Sequence, residues 1–421
     1  MKSKLPFVFL PLLFTTAFGA EGLYYTGTEA QESLPIKWLV GGNLIYDDNV
    51  NPTNQAAGQS VRDSSMAVNP YVGASFVSLA PQTTWDVYGR LGMIYYFDAP
   101  DSLGDDLNSQ SRLGVSMIHR FSERVRFVSR NFVANELEPD YSYGMASSRQ
   151  SSEFMSWSTD NSLGYRWTER FGTYTGIRFS GSSYGDDSQT GNSSDLSDRM
   201  YWQVYEQLRY QYSPQTVLVT EYRYGQTLTN SVASESTDQY FLVGADHRFS
   251  PNTIGTIRVG AQMRDVDGGS NTASPYLEFA LNTQINPQLR LGSFMRYGME
   301  SDDTVLSPDG FTTASFNYDE RNTLRFGLTG TYLISPDLSL NSGVDLIQSN
   351  YDSGRLVDGT AAGSAPSLSE TTFNAYIGMS VKLTDFLYGN LSYNYSQTVS
   401  DVNDYREYDR NRVSVGVSAE F

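Results

Sequence analysis

The chain has 421 residues, 29 Lys+Arg against 47 Asp+Glu and a formal charge of −18, with 36 Gly, 30 Tyr, two His and no Cys. Without cysteine there is no disulfide framework, thiolate zinc site, iron–sulfur cluster or thiol nucleophile, and two histidines exclude a multi-His metal centre. The acidic balance disfavours a nucleic-acid binder, and abundant Tyr, Gly, Ser and Asn suit many half-apolar strands better than one thick core.

The N-terminus reads as an export signal. Lys2 and Lys4 precede the apolar run Leu5–Phe18, and Ala17-Phe18-Gly19 supplies small residues for cleavage after Gly19 or Ala20. An N-terminal membrane anchor is the alternative, but the run is too short to span a bilayer and Pro6 and Pro11 interrupt it. We expect residues 1–19 to be a signal peptide, 20–35 a periplasmic N-terminal segment and 36–421 one membrane domain.

Eight short segments then share one pattern: apolar, variable, apolar, a small or polar residue, then Pro or an acid. They are VSLAP from Val77, HRFSE from His119, YRWTE from Tyr165, YQYSP from Tyr210, HRFSP from His247, TQINP from Thr283, YLISP from Tyr332 and VKLTD from Val381. Proline donates nothing to a strand ladder, and Ser, Asn and Asp favour turns, so each segment marks a tight connection. Strict alternation flanks these turns. After Pro81 one face carries Trp85, Val87, Leu91, Met93, Tyr95 and Phe97, whereas Asp86, Tyr88 and Arg90 lie on the other. Eight turns join sixteen strands, and one strand at each end gives eighteen: 36–46, 66–79, 82–97, 109–121, 124–135, 150–167, 170–182, 198–212, 215–229, 236–249, 252–266, 272–285, 288–301, 315–334, 337–350, 369–383, 386–400 and 407–421. The predicted fold is an all-β, transmembrane, antiparallel up-and-down β-barrel of about 18 strands, with 16 as the alternative; a secreted solenoid, propeller or sandwich is the competing architecture. Short turns on one side, longer polar connections on the other and aromatics beside the turns (Phe121, Tyr165, Trp167, Tyr210, Tyr212, Phe249) favour the membrane barrel.

Alternation assigns each charge to a face. Nineteen basic residues point to the polar face and none to the apolar one, as the cost of a charge in hydrocarbon requires. Seven acids share that polar face: Asp86, Asp160, Glu221, Asp246, Glu278, Asp345 and Glu420. Glu206 departs, falling between Val204 and Leu208 on the apolar face, where a bulge or a register error is expected. The mid-strand arginines Arg90, Arg126, Arg178, Arg223, Arg258 and Arg296 are the candidate pore lining. Either they meet anionic solutes or they pair with neighbouring acids and stiffen the wall.

Other signals are weaker. Asp47-Asp48-Asn49 lacks the spacing of a calcium loop and reads as a solvated loop, as do Asp105-Asp106, Asp186-Asp187 and Asp302-Asp303. His119 and His247 recur at one site of the repeat and read as interfacial packing rather than as part of a hydrolase. The final strand presents Val413, Val415, Val417, Ala419 and Phe421 on one face. This ending resembles the C-terminal assembly signal of bacterial outer-membrane proteins, with Phe421 as its last residue, which implies the barrel-assembly machinery, outer-membrane lipid and lipopolysaccharide as partners.

The segment GGNLIYDDNVNPT at Gly41–Thr53 resembles the opening of the beta-barrel porin 2 family. That resemblance implies a bacterial outer-membrane barrel, and some similar proteins are linked with exopolysaccharide export. The expected function is a porin-like channel for passive diffusion of small hydrophilic solutes, anionic or saccharide in character, with no enzyme activity, cofactor or metal. The alternative is a structural or adhesive surface barrel, or an outer-membrane component of exopolysaccharide export.

Overall fold

The computed structural model describes residues 33–50, 64–98, 106–137, 153–184, 198–229, 235–269, 271–300, 305–306, 314–359, 367–401 and 407–421. The strands are β1 (Ser33–Asp47), β2 (Ser65–Leu79), β3 (Thr83–Tyr96), β4 (Leu107–Arg120), β5 (Val125–Glu136), β6 (Phe154–Arg166), β7 (Phe171–Tyr184), β8 (Arg199–Ser213), β9 (Thr216–Thr229), β10 (Ser236–Ser250), β11 (Thr253–Val266), β12 (Asn271–Asn286), β13 (Leu289–Met299), β14 (Val305–Leu306), β15 (Ala314–Ser335), β16 (Leu338–Gly359), β17 (Leu368–Lys382), β18 (Leu387–Ser400) and β19 (Tyr408–Glu420). Each pairs antiparallel with its sequence neighbours, except that β13 pairs with β15 directly. The two-residue β14 pairs only with the outer part of β15, so the ring has eighteen strands. It closes between β1 and β19, from Leu39↔Glu420 to Asp47↔Arg412, and Trp38 and Phe421 exchange backbone hydrogen bonds at the seam. Closure leaves no free edge, which a strand in lipid requires.

The recurrent turns have one chemistry. In Ser213-Pro214, Ser250-Pro251, Asn286-Pro287 and Ser335-Pro336, the residue before proline accepts the amide hydrogen two positions on, at Gln215, Asn252, Gln288 and Asp337. Proline presets the first central φ of each two-residue turn. The wider turns use Ser122, Thr168 and Thr384, whose hydroxyls accept from Val125, Phe171 and Leu387. At the other end most connections are longer. The exception is 267–270, where Gly268 adopts a φ of 68° that favours glycine.

The outward faces are apolar. Val40 and Leu44 on β1, Leu91 and Met93 on β3, Phe241 and Val243 on β10 and Val415 and Val417 on β19 are all exposed. Trp167, Tyr212, Phe121 and Phe249 stand exposed beside the short turns, with Tyr165 and Trp167 in edge contact at 4.5 Å. His119 and His247 pack on Phe121 and Phe249 and bond to Thr83 and Thr216, as interfacial packing predicts. An apolar exterior with an aromatic belt and a polar interior is the construction of an outer-membrane barrel.

Two sequence expectations are corrected. The strand expected at 337–350 continues to Gly359 and pairs with an equally extended β15. Glu206 sits in unbroken register with Thr175 on β7 and Tyr222 on β9, so neither a bulge nor a slip moves it.

Inside the wall, tyrosine rings lie over glycines of the adjoining strand. A Cβ at Gly176 would fall 2.2 Å from the Tyr205 ring, and one at Gly343 would fall 2.3 Å from that of Tyr376. Gly176→Ala should displace the Tyr205 ring and its hydrogen bond to Asp160, costing about 1–3 kcal/mol. A denaturant titration of the refolded barrel in lipid vesicles checks this; an unchanged midpoint would show that the ring moves freely.

Candidate functional site

The polar side chains converge on a cavity of about 370 Å³ lined by residues of β4 to β13 and β15. Seven arginines line it (Arg130, Arg178, Arg199, Arg223, Arg264, Arg296 and Arg325) against four carboxylates, Asp160, Asp238, Glu278 and Glu300. Tyr201, Tyr240 and Tyr276 complete its polar wall.

These groups form ladders across the strands. Arg178 bonds Asp160 at 2.8 Å, and the Tyr205 hydroxyl donates to the same carboxylate. Arg223 is held by Glu221 at 2.7 Å and by Glu278 at 3.2 Å, with Tyr276 donating to Glu278. Arg264 and Gln262 share Asp238, and Arg296 and Arg325 share Glu300. A guanidinium carries five N–H groups in a fixed fork, so an arginine held by one carboxylate keeps donors for another oxyanion. The ladders fix where those donors stand.

Of the six candidate lining arginines, Arg178, Arg223 and Arg296 meet in this cavity. The other three sit elsewhere on the inner wall. Arg90 lies over the Tyr71 ring at 3.7 Å and donates to Asn69. Arg126 is buried near the β4–β5 turn, in register with Arg120. Arg258 is buried against Asp246 and Glu221.

The charge balance read from sequence is corrected. Asp47, Glu136, Asp238, Glu300 and Glu370 also turn inward and are buried or nearly so, in addition to the seven acids expected. Glu136 pairs with Arg112, and Asp47 with Arg410 and Arg412. Pairing in the wall is therefore extensive, and around the cavity seven arginines face four carboxylates. Asp238 and Glu300 share parity with Asp246 and Arg296 on their own strands, so their facing was readable; Asp47 and Glu136 lie one residue beyond the predicted strand ends.

The Asp47-Asp48-Asn49 segment is no solvated loop. Asp47 is fully buried, Asn49 donates its amide hydrogen to it, and Asp48 accepts from the backbone and side chain of Asn411. The carboxylates are occupied by cationic and amide donors, which is the chemistry of a clasp across the β1–β19 seam rather than of a calcium loop. Beside it Ile45, Val50, Ala67, Ile94, Tyr96 and Leu137 form a buried apolar cluster, so Val50 and Leu137 bring the chain beyond β1 and β5 into the mouth. The acidic pairs Asp186-Asp187 and Asp302-Asp303, and Asp105, lie outside the described residues.

No protein-family model matches the chain, and no curated protein matches it. Among solved structures it is similar to OccK2 (OpdF) of Pseudomonas aeruginosa, at 12% identity and a TM-score of 0.47, over 93% of this chain and 100% of that one. It is also similar to OccAB4 of Acinetobacter baumannii (14%, 0.46, 93% and 99%) and to OpdK of Pseudomonas aeruginosa crystallised with vanillate (11%, 0.44, 93% and 100%). None of these likenesses assigns a solute to this chain.

Proposed function

We propose that the chain is an outer-membrane channel through which small hydrophilic solutes diffuse passively, with anionic solutes favoured. The observation that carries this is the concentration of seven arginines against four carboxylates around one cavity inside a closed polar-lined barrel. A low-dielectric wall focuses that excess on the solute path, and guanidinium forks suit carboxylates and phosphates. Tyr201, Tyr240 and Tyr276 offer hydroxyls and ring surfaces to saccharides. No covalent chemistry, cofactor or metal enters this reading.

Residues 1–32 lie outside the described residues; we keep 1–19 as a cleaved export signal and the segment expected at 20–35 as periplasmic only up to β1, which begins at Ser33. Phe421 is exposed at the short-turn end and stacks on Phe386 at 6.1 Å, which supports its reading as the assembly signal. The reading as a member of the beta-barrel porin 2 family rests on the resemblance at Gly41–Thr53 and on the strand pattern of the mature chain. A second reading, a non-conducting structural barrel, is favoured by the apolar cluster in the mouth.

Reversal potentials across a planar bilayer under a KCl gradient test both. The expected result is conductance with chloride preferred, and a weaker preference in Arg296→Gln. Cation preference would overturn the anion assignment, and an electrically silent, correctly folded barrel would favour the structural reading.

A further inference from the structure

Glu206 is the middle residue of β8 and projects outward between the exposed Val204 and Leu208. At about 3.3 Å per residue and a tilt near 45°, it stands roughly 16 Å above the short-turn end, inside the apolar band. Other outward acids, such as Asp265, stand at the long-connection end of their strands. Glu206 is not an isolated oddity. Its carboxylate accepts from Thr175 on β7. On β6, Asn161 donates to Thr159, which donates to Asn131 on β5, and Asn131 donates to Ser129. Cross-strand register gives this tract two polar flanks: Asn131 faces Thr159 and Ser129 faces Asn161 on β5–β6, Thr175 faces Glu206 on β7–β8, and Leu163 and Ile177 stand between them. The corresponding outward stretch of β17 carries Phe373, Ala375, Ile377 and Met379.

A carboxylate and two side-chain amides gain nothing from acyl chains and are costly to hold there. The tract therefore requires a cover that supplies hydrogen bonds at mid-bilayer depth. Its two flanks differ: amide donors stand on β5 and β6, and the carboxylate acceptor stands on β8. Two copies related by an axis along the membrane normal present the donor flank of one to the acceptor flank of the other at the same depth, whether the rotation closes a dimer or a larger ring. We infer that the β5–β8 face is an interface with a second copy of this chain, in which Glu206 accepts hydrogen bonds from the partner's asparagine flank. Small Ser and Thr side chains there let two walls approach closely. This inference does not depend on whether the lumen conducts.

The absence of cysteine makes the test direct. The full chain carrying Val133→Cys with Val204→Cys, outward positions on the two flanks, oxidised in native outer membranes, should give disulfide-linked dimers and higher multimers. A control pair on another wall, Ile257→Cys with Leu328→Cys, should stay monomeric. Native mass spectrometry should find the unmodified chain oligomeric, with the oligomer weakened at least about tenfold by Glu206→Leu. Heat-modifiable gel migration verifies that each variant is a folded barrel. A monomeric unmodified chain, equal cross-linking by the control pair, adducts with the mass of another protein, or an oligomer unaffected in folded Glu206→Leu would each overturn the inference.

Discussion

Replacing Asp246 with leucine is expected to destabilise the barrel by about 3–5 kcal/mol, the cost of removing one partner from a buried charge cluster. Asp246 is 0% exposed on β10 and is shared by Arg209 of β8 and Arg258 of β11, both buried. The carboxylate thus ties β8, β10 and β11 together, and leucine would leave two desolvated guanidinium groups without the anion they share. Glu221 is within 3.6 Å of Arg258 but already serves Arg223, so it replaces Asp246 poorly. Asp246→Asn keeps one oxygen acceptor and should fall between the wild type and the leucine variant. Removing charge on both sides, with Arg209→Leu added to Asp246→Leu, should recover part of the loss, because a buried pair exchanged for apolar groups is often near neutral. Guanidinium unfolding in lipid vesicles, followed by tryptophan fluorescence, measures all three. A loss below about 1 kcal/mol for Asp246→Leu would mean that water reaches the cluster and solvates the arginines.

The contrast between the two faces explains how far the fold could be read from residues alone. Alternation is enforced by lipid on one side, so it holds along the strands that cross the bilayer, apart from the polar outward tract on β5 to β8. This is why the eight turns and the ring of eighteen strands were legible. Residues 351–359, Tyr-Asp-Ser-Gly-Arg-Leu-Val-Asp-Gly, extend β16 beyond the span. There Tyr351 packs inward against Phe316, Tyr318 and Leu368, while the apolar residues Tyr351, Leu356 and Val357 follow no period of two, so no alternation marks the extension. The site was legible by parity but not by position. Arg178, Arg223, Arg258 and Arg296 share the inner wall, yet only pairing decides which of them line open space. Arg258 is drawn down against Asp246 and Glu221, whereas Arg296 meets Glu300 beside the cavity. Such choices depend on side chains two and three strands apart, and no local pattern records them. Glu206 shows the reverse case. The pattern flagged it correctly as an acid on the outer face, and a slip in register was the wrong remedy, because the conflict is real and calls for a neighbour.

One residue of β17 and one of β18 test the two-solvent description itself. Ile377 is exposed on the outer face and pairs with Tyr393; Ser392, adjacent on the inner face, pairs with Gly378 and is also exposed. By accessibility alone the two sites look alike, and a soluble protein would accept arginine at either. In this barrel Ile377→Arg should cost about 2–4 kcal/mol, because its guanidinium would lie among acyl chains. Ser392→Arg should change stability by no more than about 0.5 kcal/mol, since its surroundings are aqueous, its register partners Gly378 and Ser414 are uncharged, and the diagonal Arg412 is held by Asp47. It also adds a cation to the lumen and should strengthen chloride preference in the bilayer measurement. Unfolding midpoints of the two variants in the same vesicles give the comparison. Equal losses would mean that the inner wall is as dry as the outer one, and a dry inner wall is incompatible with solute passage.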